Sequence, residues 1–212
     1  MPLLRPLLIA AIVAAMSVAP AARAATLFDN LAGSRDGADP LLSFGPLADS
    51  FSTGANAGLV LTQVTALLKS DSAEVIGDLR VSLHADSATG PGALIATLGT
   101  LSSAAVATAD FAAYTFKPAA GVQLAAHTTY WVQLEAVGAN AVEWSWSQDL
   151  SGPGVAGGAN YSATLGLSAN TAAAPYQLSV AVQAVPEPAS AALLLGGVGL
   201  IGLTALARRR KG

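Results

Sequence analysis

Apolar and polar residues alternate without a break along Asp78-Leu79-Arg80-Val81-Ser82-Leu83-His84-Ala85-Asp86. A period of two is the pattern of a strand with one face against a core and the other towards water. Comparable runs at 59–68, 94–98, 114–116, 129–135, 142–147 and 176–182 predict further strands. Breakers stand between them: Gly54-Ala55-Asn56, Thr89-Gly90-Pro91-Gly92, Lys117-Pro118, Gly138-Ala139-Asn140 and Ser151-Gly152-Pro153-Gly154. Alanine is abundant, yet it falls in short runs with Gly, Ser and Thr that lack a 3.6-residue repeat; 102–113 is the one stretch suited to a helical turn. Residues 152–174 read as a long loop with a short strand near Tyr161. Roughly eight short strands and no long amphipathic helix predict an all-β fold, an antiparallel β-sandwich of jelly-roll type.

Both ends depart from this pattern. Residues 1–24 carry an early cation (Arg5), an apolar run from Leu7 to about Ala19, and Ala22-Arg23-Ala24. This predicts a signal peptide cut by signal peptidase between Ala24 and Ala25. At the other end, Val185-Pro186-Glu187-Pro188-Ala189-Ser190 leads into 19 uncharged, mostly apolar residues, 189–207, and then Arg208-Arg209-Arg210-Lys211. At about 1.5 Å per residue the apolar run makes a helix of roughly 28 Å, long enough for a transmembrane helix. The four cations predict a basic stop on the cytoplasmic side of the inner membrane. Pro186 and Pro188 lack amide hydrogens, so the tripeptide cannot extend the helix backwards. Gly196, Gly197, Gly199 and Gly202 give the span a small-residue face. The chain thus divides into 1–24, an exported domain at 25–184, and a C-terminal signal at 185–212.

Charge follows the same division. The exported segment holds twelve of the thirteen acids and only Arg35, Lys69, Arg80 and Lys117 among the cations, a formal charge of −8. It offers phosphate no basic stripe, so no nucleic acid is expected as a partner. With no cysteine, disulfides, a thiolate nucleophile and Cys-ligated metal sites are excluded. A segment of about 160 residues is enough for one apolar core.

Candidate chemistry is sparse. The two histidines, His84 on the polar face of its strand and His127 before a strand entrance, have no metal-ligand spacing, and there is no G-x-S-x-G elbow. No catalytic residue is assigned and no enzyme is expected. For ligand contact, Val142, Trp144 and Trp146 share one strand face, which predicts both tryptophans in the core. Trp131 shares a face with Gln133 and Glu135 and is the best candidate for an exposed, sugar-stacking aromatic. Asp36-Gly37-Ala38-Asp39 is a weak candidate for calcium, lacking the EF-hand pattern and its closing Glu. Otherwise no cofactor is expected.

Two stretches carry family resemblances. Leu27-Phe28-Asp29-Asn30, the run 47–54, the strand 59–68, Val81–Asp86, Gly90-Pro91-Gly92, Leu94–Leu98, Tyr114-Thr115-Phe116, Val122-Gln123-Leu124, the run 128–134 and Trp144 follow one another in a layout that resembles the choice-of-anchor R domain, a β-rich module of bacterial exported proteins. Separately, Val185-Pro186-Glu187-Pro188-Ala189, the apolar helix and the Arg-rich tail resemble a PEP-CTERM sorting signal. That resemblance implies an exosortase as partner and sorting to the envelope or outside in Gram-negative bacteria that make exopolysaccharide. It also implies a structural or adhesive role in biofilm matrix. A carbohydrate-binding module acting on the producer's own exopolysaccharide is the alternative.

Overall fold

A computed structural model describes residues 24–185 apart from Ile76. Ala24–Ala184 forms one compact unit. Most of the signal peptide, the expected transmembrane helix at 189–207 and the basic tail lie outside the described residues; among those described, no helix is long and apolar enough to cross a membrane.

The unit is a stack of two antiparallel sheets. One runs β1 (Ala24–Asp29), β13 (Leu178–Ala184), β4 (Leu59–Ser70), β10 (Val142–Trp146), β2 (Gly37–Pro40), with β7 (Ala112–Phe116) and β8 (Val122–Leu124) also paired to β4. The other runs β12 (Gly166–Ala169), β11 (Ala159–Ser162), β3 (Leu47–Ser52), β9 (Thr129–Val137), β5 (Asp78–Ser87), β6 (Gly90–Ser102). The chain passes from β3 to β4 to β5, and again from β8 to β9 to β10, changing sheet at each step. This is the crossing connection of the expected jelly-roll type of sandwich. A single helical turn, α1 (Leu41–Phe44), follows β2.

Each predicted run became a strand, usually longer than its pattern. Leu79, Val81 and Leu83 of β5 are buried, as their alternation requires. In β4 the buried set switches phase, from Leu59 and Leu61 to Val64, Ala66 and Leu68. A register shift opposite Ala181/Val182 absorbs the switch, with Thr62 as the extra residue. The Thr62 hydroxyl donates to the Ala181 carbonyl at 3.0 Å. The core between the sheets joins Phe28, Leu61, Val64, Leu68, Trp144 and Val180 to Phe51, Leu79, Val81, Leu83, Val132 and Leu134. Each such side chain contributes about 1.5–3 kcal/mol on burial. With no disulfide, this core holds the fold.

Five strands escape the alternation signal: β1, β2, β3, β8 and β12. The reason is clearest in β3, where Leu47 to Phe51 are all buried, so its two faces do not differ. The Gly90-Pro91-Gly92 breaker lies inside β6; the turn itself is Ala88-Thr89, with Ser87 opposite Gly90. Within residues 102–113 the one helical turn is a short 3-10 turn, Ser103–Ala105.

Candidate functional site

Trp131 is not the exposed aromatic its strand pattern suggests. Its backbone position is as expected, on the outer face of the second sheet opposite His84 and Ser50. Yet the ring is only 2% exposed. The β5–β6 hairpin shifts register at three points. Its tip reaches β11: a side chain at Gly90 would collide with the Tyr161 ring. The hairpin thereby roofs the outer face, and the Trp131 indole N–H donates to Asp86 Oδ1 at 2.7 Å. A sheet face covered by its own hairpin cannot stack on a sugar.

Beneath the same roof is a serine–histidine contact. His84 Nδ1 lies 2.9 Å from the Gly92 carbonyl, which can only accept, so the proton is on Nδ1 and Nε2 accepts from the Ser82 hydroxyl at 3.0 Å. His84 is therefore half-buried rather than solvent-exposed. Ser82 is 1% exposed, and the nearby Asp86 is engaged by Trp131. No substrate carbonyl can reach that hydroxyl. His127 sits in a turn before β9 with φ 52°, its N–H donating to Gly54.

The calcium candidate also resolves differently. Asp36 Oδ2 accepts from the Ser34 hydroxyl (2.8 Å) and the Gln148 N–H (2.7 Å), and the Gln148 bond leads in holding its carboxyl below the usual range. Asp39 belongs to β2 and accepts from the Tyr176 phenol at 2.7 Å. The two carboxylates thus serve separate partners because strand formation from Gly37 onward dismantles the loop they were to share. Among the described residues no three His, Cys, Asp or Glu side chains converge as a metal site.

What the structure does assemble is a cleft at the open end of the sandwich, with a volume of about 370 Å³. β2 and β10 supply Asp39 and Trp146 on one side; β11 and β12 supply Asn160 and Ser168 on the other. Gln148, Ser162 and Tyr176 complete the polar lining. Trp144 is fully buried as expected, but Trp146 is only half-buried, because β10 ends there and its ring faces the mouth of the core. The six-membered ring of Trp146 rests on Gly37, its cross-strand partner, so closely that a Cβ there would overlap it. Tyr176 is fixed on the inner side, stacked on Trp144 at 4.7 Å. Burial, and then the Asp39 carboxylate, push its phenol well above the ordinary value, so it remains a donor.

Behind Tyr176 lies a buried polar layer. Asp49 on β3 points inward, fully buried, and accepts from Ser50 N–H (2.9 Å), Tyr176 N–H (2.8 Å) and Asn170 Nδ2 (3.2 Å). Burial outweighs these donors and raises its carboxyl well above the usual range. Asn160 Nδ2 donates to the Ala173 carbonyl at 3.0 Å, tying the 170–176 segment to β11. Of the cleft residues, the sequence pattern singled out Asp39 for a different ligand and assigned Trp146 to the core. Gln148, Asn160 and Ser168 carried no signal, since isolated polar residues in a Gly/Ala/Ser-rich segment look like loop.

The compact unit ends at Ala184, the last residue of β13. Residues 184–211 match the PEP-CTERM protein-sorting motif. The PEP-CTERM motif therefore starts where the sandwich stops, and it takes in Val185, which is exposed. It implies export, processing by an exosortase at the membrane, and placement in the envelope or outside. Pro186 to Ala189 and Arg208 to Lys211, like Ala22 at the other end, lie outside the described residues; Ala24 and Ala25 open β1. Neither curated proteins nor solved structures yield a match.

Proposed function

We propose that this is a non-catalytic protein of the cell envelope or extracellular matrix, structural or adhesive in exopolysaccharide and biofilm. The PEP-CTERM motif at 184–211 carries this reading. Signal peptidase removes 1–24, leaving a chain that starts in β1. The apolar stretch at 189–207 holds the protein in the inner membrane for a time, with Arg208 to Lys211 as its cytoplasmic stop. An exosortase then acts at or near Pro186-Glu187-Pro188, and the folded unit is delivered outside.

The unit is of choice-of-anchor R type in this reading, and two observations support it. Each run that carries that resemblance falls on a strand, and β1 and β13 pair with each other. Adjacent termini leave the rest of the sandwich independent of whatever anchor is attached. The occlusion of the Ser82 hydroxyl, the partner of His84, supports a role without catalysis. Carbohydrate binding is the second reading; it is favoured by the Trp146 cleft rather than by Trp131.

The sorting step is tested by immunoblotting membrane, envelope and medium fractions of a producing strain. A Pro186→Ala/Glu187→Ala variant is expected to accumulate unprocessed in the membrane. Identical size and location for the two proteins would overturn the proposal.

A further inference from the structure

We propose that the Trp146 cleft is a glycan site that takes a sugar ring without a carboxylate, neutral or amino-substituted, and discriminates against uronates. This rests on the matrix reading above and names the ligand class within it. Three features carry it.

The aromatic wall is built rather than incidental. Trp146 is held by the Gly37 backbone on one side and keeps part of its surface in the cleft. Among the described residues no protein group accepts from its indole N–H. A fixed, partly exposed indole in a concave site suits the C–H face of a pyranose and leaves a donor for a hydroxyl.

The polar groups are acceptors and neutral amides at fixed positions. Asp39 is locked by the Tyr176 phenol through Oδ2 alone, leaving Oδ1 available to a hydroxyl or ammonium group. Asn160 spends its amide hydrogens on the backbone behind it, so its oxygen is the free end. Gln148 is exposed, with no side-chain partner among the described residues.

Charge sets the class. Asp39 is the one acidic side chain of the lining, and no Lys or Arg joins it. Arg35, Lys69 and Arg80 are paired elsewhere, with Asp110, Asp71 and Glu135. A uronate would meet a carboxylate, on a unit of net charge −8, with no counter-charge.

The test uses the full-length chain in mild detergent, titrated with oligosaccharides of glucose, glucosamine and galacturonic acid. Calorimetry and tryptophan fluorescence are the readouts. The glucose or glucosamine series is expected to bind, with galacturonate at least about tenfold weaker. Trp146→Ala is expected to weaken binding about tenfold or more, and Gln148→Ala a few-fold. Gln148→Ala alters an exposed side chain and keeps the test open if Trp146→Ala fails to fold. Asp39→Asn should erase any preference for glucosamine over glucose. The proposal is overturned if galacturonate binds as well as the others. It is equally overturned if folded Trp146→Ala and Gln148→Ala bind like the parent, or if no series binds at about 10 mM. Binding is measured on purified protein, so its failure leaves the fractionation result intact, and a sorting failure leaves the binding result intact.

Discussion

At Gly37 the chain has room for a hydrogen and nothing larger, because the Trp146 ring occupies the space a side chain would need. The pair sits directly across β2 and β10, so the closeness is a property of the strand register. Gly37→Ala must push the ring towards the cleft or part the strands. Overpacking of this kind costs about 1–3 kcal/mol. Guanidinium unfolding of the two proteins measures that loss, and unchanged midpoints would show that the ring is free to move aside. The tryptophan across from it marks how far the sequence could be read. Alternation placed Trp146 on the inner face, correctly. It could not show that the strand stops there, leaving the inner face of the last residue at an opening.

The β5–β6 hairpin shows the same limit at the level of elements. Its strands were legible because Asp78–Asp86 alternates without a fault. Its bend was not, since three register shifts depend on where β6 must pass to cover Trp131. The closing contact is the 2.7 Å bond from the indole N–H to Asp86. Asp86→Ala leaves that buried donor unpaired and is expected to cost about 1–3 kcal/mol. Chemical unfolding followed by tryptophan fluorescence tests this, and a change within about 0.5 kcal/mol would mean that water replaces the carboxylate. The bulge in β4 is more readable: the phase change from Leu61 to Val64 marks it in the sequence itself.

For the whole molecule, the buried polar layer at the cleft end couples folding to pH. Asp49 binds its proton more tightly folded than unfolded, because burial lifts its carboxyl above the ordinary aspartate value. In the window above that ordinary value the folded state holds more protons, so stability falls as pH rises towards the folded value. Glu143 acts in the same direction, chiefly through burial. Asp36, Asp71 and Asp149 act oppositely, their contributions being lost only as pH falls below the ordinary carboxylate range. The unit is therefore expected to melt higher at about pH 5 than at pH 7. The Asp49→Asn variant should lose most of that difference. Equal slopes in thermal melts of the two proteins would remove Asp49 as the cause.

Several properties were determined by sequence alone: the β class, most of the strands, the acidic cysteine-free character of the unit, and the sorting signal. Each rests on local order, either a period of two along one strand or a tripartite run of proline, apolar residues and cations. Tertiary structure decided which faces stay open. Trp131 and Trp146 exchange roles between pattern and fold because alternation reports only the side of a strand on which a residue stands. Whether that side meets water depends on segments distant in the chain: the hairpin tip that covers one tryptophan, and the parted edges of two sheets that expose the other.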